Sequence, residues 1–352
     1  MVTRVAVLDD YHGLASSHFS KLDRSLFSFE YFPATLRPYH DDDTAQAERD
    51  ELVKRLKPFQ VIATMRERTP FPKELIERLP QLKLILSNGR HNKAIDMQAC
   101  HERGIPVTGS DAKMATVATL EHIISMILAI CRDIAQNDAA VKGGGWQTSM
   151  VTGVSGKTLG IVGMGRLGSS VARIMSTAFG MRIICWSSNL TQSTADAQAK
   201  AQGLLVERPD GEKTFKYVSR DELFSTSDVV SLHLLLSDRT HGLITAEDLW
   251  KMKSSSFFVN TSRGPLVVEQ DLLETLKAGK IRGTALDVFN MEPLPVDSEW
   301  RDKSWGTEGK SRVILTPHIA YVEERVMNEF YEHQVAELER WSRGEALHNT
   351  MS

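Results

Sequence analysis

Three side chains with complementary chemistry stand just beyond apolar runs. Arg263 lies in Asn260-Thr261-Ser262-Arg263-Gly264-Pro265, Glu292 in Asp287-Val288-Phe289-Asn290-Met291-Glu292-Pro293, and His318 in Thr316-Pro317-His318-Ile319-Ala320. An imidazolium can give a proton to a developing oxyanion, and an imidazole can take one back. A carboxylate beside it favours the charged ring and raises its pKa. A guanidinium offers a planar fork of donors to a carboxylate or a polarised carbonyl. Taken singly, each has a plainer reading: a surface turn, a solvated acid, a structural histidine. Each, however, follows an expected parallel strand at its carboxyl end, where doubly wound sheets place ligands.

A fourth feature precedes them. The turn Gly163-Met164-Gly165-Arg166-Leu167-Gly168 follows a buried run, 158–162, and leads into a helix expected over 168–179. In this context the first glycine makes the tight turn. The second lets backbone approach a pyrophosphate, and the third lets helix and strand pack closely. The helix N-terminus then offers N–H groups and a positive dipole end to phosphates. The turn therefore predicts a bound nicotinamide dinucleotide. An acid is expected at the end of the next strand, 182–186, to hold the ribose hydroxyls. Ser187 stands there, followed by Ser188 and Asn189, with neither a carboxylate nor an arginine. The cofactor is NAD(H) or NADP(H), and the sequence does not choose.

The elements that must carry these groups alternate strand and helix. Strands are expected at 5–8, 61–65, 82–86 and 107–108, with helices at 44–56 and 73–79. A long helix over about 114–138 follows. The alternation then restarts with strands at 158–162, 182–186, 229–232, 257–259, 283–286 and 313–315. A charged amphipathic helix, 321–343, closes the chain. This pattern argues for parallel sheets wound by helices. A Pro-Asp-Gly turn at 209–211, between 204–206 and 214–218, predicts a small decorative hairpin. The polar segment 298–311 falls between Glu292 and His318 and is expected to cover the cleft.

The bulk properties narrow the class. With 352 residues the chain can build two cores, and 41% hydrophobic and 25% charged residues suit a globular protein. A net charge of −3 argues against a nucleic-acid or anionic-membrane surface. Three scattered cysteines, Cys100, Cys131 and Cys185, show no disulfide framework or metal spacing and fit a reducing compartment. The first strand gives way at once to Asp9 and Asp10, unlike a targeting segment. The apolar stretch 120–130 is too short to span a bilayer and reads as a buried helix. A cytoplasmic location is expected.

The four ordered motifs, with the long helix, resemble those of the D-isomer-specific 2-hydroxyacid dehydrogenases over nearly the whole chain. The resemblance implies an α/β chain of two doubly wound, Rossmann-like domains. A dinucleotide-binding domain (111–318) is inserted in a flavodoxin-like substrate domain (1–110 and 319–352), and the molecule is a homodimer. It implies hydride transfer from NAD(P)H to a small 2-oxo acid, giving the D-2-hydroxy acid. Arg263, Glu292 and His318 would be catalytic. The cofactor side would comprise Gly163, Gly165, Arg166, Leu167, Gly168, Ser187, Leu234, Leu235, Thr240, Thr261, Ser262 and Asp287, the last holding the nicotinamide carboxamide. Leu235 stands where the family often has proline. Asn88, Gly89, Arg90 and Arg66 would meet the substrate, although Arg90 and His91 add bulk to a loop that is richer in glycine in many relatives.

Glyoxylate, hydroxypyruvate or a somewhat larger 2-oxo acid is the expected substrate. A phosphoglycerate dehydrogenase is less favoured, because many carry a further regulatory domain. A formate dehydrogenase is disfavoured because Glu292 stands where that branch has glutamine. The alternative is a dinucleotide-sensing corepressor on the same fold, since fold does not fix function. Such proteins carry a long C-terminal tail, whereas this sequence stops soon after its last expected helix.

Overall fold

A computed structural model describes the chain except residues 1, 42–43, 90–91, 111–113 and 352. It divides into two compact units. Unit 1 comprises Met1–Ala115 and Val322–Ser352, and unit 2 comprises Thr116–Tyr321.

Unit 1 is built on five parallel strands: β1 (Thr3–Leu8), β2 (Phe27–Phe32), β3 (Val61–Ala63), β4 (Leu84–Leu86) and β5 (Val107–Thr108). Their order is β2-β1-β3-β4-β5. The central strands are short and wholly apolar, as expected where both faces are covered. The edge strand β2 was not anticipated. Its alternation, Phe27, Phe29 and Tyr31 against Ser28 and Glu30, is the pattern of a half-buried strand. The last helix, Glu324–Ser342, returns to this unit. Gln334 on it donates to the carbonyls of Thr64 and Leu86, at the ends of β3 and β4.

Unit 2 holds seven parallel strands: β6 (Thr158–Val162), β7 (Arg182–Trp186), β8 (Phe215–Tyr217), β9 (Val229–Leu232), β10 (Phe257–Asn260), β11 (Gly283–Leu286) and β12 (Arg312–Leu315). Their order is β12-β11-β10-β9-β6-β7-β8, so the winding direction reverses between β6 and β9. That reversal is where an open α/β sheet leaves a crevice for a ligand. Two apolar clusters cover the two faces. One is built around Ile127, Ile161 and Phe257, the other around Val162, Leu232 and Phe258.

Two sequence expectations are corrected in unit 2. The long helix is two helices, Ala115–Arg132 and Ile134–Lys142, broken at Asp133, whose backbone is left-handed (φ 54°). The break is held by chemistry, because the buried Asp133 carboxylate accepts from Ser149 at 2.8 Å and pairs with Arg312 at 3.3 Å. The first of these helices is long and apolar enough to cross a membrane. Here it packs Ile123, Met126, Ile127 and Ile130 into the core of the unit. The 204–218 segment turns as expected, with Glu207 bridging Lys213, but its second arm is β8, paired in parallel with β7 rather than hanging off as decoration. The 298–311 segment is anchored to the core of the unit. Trp300 is buried in the second cluster, donates to Glu269 at 2.6 Å, and carries Trp305 against it.

Candidate active site

The glycine turn has the geometry its three glycines imply. Gly163 has φ +100°, and a Cβ there would lie 2.8 Å from the His233 carbonyl oxygen. A Cβ on Gly168 would lie 2.1 Å from the Gly163 carbonyl oxygen, so only glycine lets the helix Arg166–Phe179 approach β6 this closely. A Cβ on Gly165 would meet no atom within 4 Å. The chain itself does not demand glycine there, and the open space in front of the helix N-terminus fits a pyrophosphate. Polar atoms near this turn also lack protein partners. Thr261, just past β10, is buried with its hydroxyl unbonded. His233, just past β9, has both ring nitrogens out of solvent and unbonded. Burial without a partner pushes its imidazole down to about 4. His233 escaped the sequence reading because a histidine in an apolar run looks like core.

The other expected cofactor residues fall into place unevenly. Leu234 is half-buried beside Gly163, whereas Leu235 is 88% exposed. The Thr240 hydroxyl is spent on its own loop, bonded to the Leu235 carbonyl at 2.7 Å and to the Ser237 amide at 2.8 Å. Ser262 donates to the Leu232 carbonyl, tying the β10 loop to the end of β9. Ser187 follows β7 in a turn closed by the Leu190 amide. Beside it, Arg220 lies over the Trp186 ring, and two 2.7 Å bonds to Asp248 neutralise its charge.

The catalytic candidates converge at the carboxyl ends of β10, β11 and β12. Asn260 shapes the first loop. Its amide donates to the Arg263 carbonyl at 2.9 Å, and its carbonyl oxygen accepts from the Ser262 amide at 3.0 Å. Glu292 is fixed at both oxygens. Oε1 accepts from the Phe289 amide at 2.9 Å, and Oε2 lies 2.6 Å from Nδ1 of His318. His318 is held with φ +52° and meets the Tyr321 ring edge-on at 6.1 Å. Neither side chain is sealed off, with 22% and 32% of the His318 and Glu292 side chains exposed.

Asp287, expected beside the nicotinamide, also has partners within the chain. Its carboxylate is wholly buried and shared among Thr316, the amides of Ile319 and Ala320, and His122. Burial pushes its carboxyl up, but the bonds from His122, Thr316 and Ile319 outweigh this and hold it below the usual carboxylate range. Nothing in the sequence around His122 marks it for this contact. Its partner lies too far along the chain for local pattern to reveal.

In unit 1, Gly89 follows β4 with φ +84°, and its amide donates to Ser110. The Arg66 guanidinium lies directly against this glycine, since a Cβ there would fall 2.4 Å from Nη1. Arg66 holds a left-handed backbone (φ 54°). Asn92 ties the two loops together, donating to the Arg66 carbonyl at 2.7 Å and to Ser87 at 3.1 Å. The Asn88 side chain is buried and turned inward, toward the Thr64 carbonyl and the Met65 sulfur. Arg90 lies outside the described residues.

The chain is similar to known proteins over most of its length. The D-isomer specific 2-hydroxyacid dehydrogenase family, NAD binding domain, matches residues 124–320. The chain is 32% identical over 318 residues to a glyoxylate reductase of Korarchaeum cryptofilum, spanning 88% of each chain. It is 34% identical over 274 residues to a hydroxypyruvate reductase of Thermotoga maritima, spanning 77% of this chain and 81% of that one. A phosphoglycerate oxidoreductase of Vibrio cholerae superposes with a TM-score of 0.79 at 29% identity, over 97% of this chain and all of the other. With its nucleotide turn, its Arg263, Glu292 and His318 loops and these relatives, the chain belongs to the D-isomer-specific 2-hydroxyacid dehydrogenase family.

Proposed function

We propose that the protein reduces a small 2-oxo acid to the D-2-hydroxy acid, with glyoxylate or hydroxypyruvate as substrate and NADH or NADPH as reductant. The observation that carries the proposal is the 2.6 Å contact between His318 and Glu292, on the same sheet end as the glycine turn. Gly163, Gly165, Arg166, Leu167 and Gly168 would cradle the pyrophosphate, with Thr261, Ser262, Leu234 and Leu235 alongside. When bound, the nicotinamide supplies the hydride.

The residues of the chain do the rest. With Nδ1 engaged by Glu292, Nε2 of His318 gives its proton to the substrate oxygen as charge develops there. Glu292 orients the ring through its contact with Nδ1. Arg263 steadies the substrate carboxylate and the polarised carbonyl. The residues of unit 1 proposed for substrate binding are Asn88, Gly89, Arg66 and Arg90. At the ribose end, Ser187 repels no 2′-phosphate and Arg220 brings no uncompensated charge, so both dinucleotides are admitted.

The enzyme acts as a homodimer. The helix Ile134–Lys142 has no buried residue, and Ile134, Val141, Trp146 and Met150 present an exposed apolar band that a second copy would cover. Its three free, buried thiols suit a reducing cytoplasm.

A panel of 2-oxo acids assayed with each reduced dinucleotide tests the proposal. Loss of nicotinamide absorbance with glyoxylate or hydroxypyruvate, and a D-configured product from hydroxypyruvate, is the expected result. Binding of the dinucleotide with no acid reduced would overturn it.

A further inference from the structure

We infer that His122 is a positioning residue for proton transfer, holding the His318 loop through the carboxylate of Asp287 and the hydroxyl of Thr316. The inference rests on the proposed role of His318.

Asp287 is the anchor. The Thr316 hydroxyl donates to Oδ1 at 2.6 Å, the Ile319 amide to the same oxygen at 2.9 Å, and the Ala320 amide to Oδ2 at 3.1 Å. These donors bracket His318 on both sides. His318 itself is left-handed at φ +52°, a conformation that a non-glycine residue keeps only where its surroundings fix it. The three bonds to Asp287 are that fixing.

A fourth donor also reaches this wholly buried carboxylate. His122, on the helix Ala115–Arg132, brings Nε2 within 3.3 Å of Asp287 Oδ1 and 3.1 Å of Thr316 Oγ1. The direction of these bonds follows from the alternatives open to Thr316. Its hydroxyl lies 2.6 Å from the carboxylate and 3.8 Å from the Met126 sulfur. A hydrogen bond to an ionised oxygen is the stronger. The hydroxyl hydrogen therefore goes to Asp287, and the oxygen turns a lone pair to His122. Nε2 of His122 must carry a hydrogen, donated to both partners. Without it, Thr316 and Asp287 each lose a donor in a dry site, and the loop carrying His318 loses its tension on one side.

The network also sits at both passages of the chain through unit 2. His122 follows closely on Thr116, where the chain enters the unit. Ile319 and Ala320 immediately precede Tyr321, the last residue before it leaves. The position of His318 is thereby set against the ends of its own unit, while its ring remains available to substrate.

The test compares His122→Ala, His122→Gln and Thr316→Val with wild type, and uses His318→Ala as a control. The full-length protein is assayed with glyoxylate and hydroxypyruvate and each reduced dinucleotide. For His122→Ala, kcat should fall by about tenfold or more while the KM for dinucleotide stays within about twofold. Thr316→Val, which keeps the shape and removes the hydroxyl, should reproduce the loss. His122→Gln should recover most of kcat, because an amide N–H replaces the imidazole donor. If His318→Ala is inactive but His122→Ala retains wild-type kcat, the inference is wrong and the role of His318 stands. If Gln and Ala lose kcat equally, with equal falls in melting temperature, His122 is only structural and the inference again fails. If His318→Ala keeps turnover, the underlying reading falls.

Discussion

Gly264 lies so close to Phe289 that a methyl group at 264 would sit 2.1 Å from the Phe289 carbonyl carbon. This contact seats the Arg263 loop on the Glu292 loop. Phe289 is in turn the residue whose amide holds Glu292 Oε1. The guanidinium and the His318–Glu292 pair are thus registered through backbone, not through side chains alone.

Gly264→Ala cannot be absorbed by a rotamer change, because the obstructing atoms are backbone. Overpacking of this kind costs about 1–3 kcal/mol. The substitution should lower the melting temperature of the protein and depress kcat more than dinucleotide affinity. Thermal unfolding beside steady-state kinetics checks this, and an unchanged kcat would contradict the registration.

The glycine turn separates two roles that sequence alone merges. Gly165→Ala meets no protein atom, so its melting temperature without ligand should match wild type while dinucleotide affinity falls. Gly168→Ala collides with the Gly163 carbonyl and should lower the melting temperature before any ligand is added. Calorimetry and dinucleotide titration of the two variants distinguish the cases. Equal destabilisation of both would show that Gly165 serves the fold and not the ligand.

His233 gives a pH dependence with a defined sign. Its imidazole is pushed down to about 4 in the folded protein, below its ordinary value of 6.5, by burial of nitrogens that no protein group bonds. Between these values the unfolded chain binds a proton that the folded chain refuses. The associated stability is therefore present above about pH 6.5 and is lost as pH falls toward 4, by up to about 3 kcal/mol. His233→Phe should flatten this part of the stability curve relative to wild type. Denaturant unfolding of both proteins across the window makes the comparison, and identical curves would contradict it.

Much of the site was legible in the sequence because its chemistry constrains residue type and place together. A tight turn from strand to helix needs glycine at Gly163, and one open toward a pyrophosphate has it at Gly165. A proton donor, its carboxylate and an anion fork must each follow a strand end. What was hidden depends on partners distant in the chain. The break at Asp133 is stabilised by Arg312, and nothing near 133 signals it. The 298–311 segment looked solvated because its polar residues outnumber Trp300, the one that enters the core. His122 and Asp287 lie far apart in the chain, and only folding shows that they share a network with Thr316. Asp287, which the resemblance places at the cofactor, also accepts bonds from Thr316, Ile319 and Ala320.

The most direct test of the account is the turnover of hydroxypyruvate and glyoxylate by wild type and His318→Ala, with reduced-dinucleotide binding measured on the same samples. Wild type should consume NADH or NADPH with at least one of these acids. The variant should lose about 100-fold or more of kcat, the scale of a positioned proton donor, while binding the dinucleotide as wild type does. Turnover retained without His318, or a wild type that binds the dinucleotide and reduces neither acid, would contradict it.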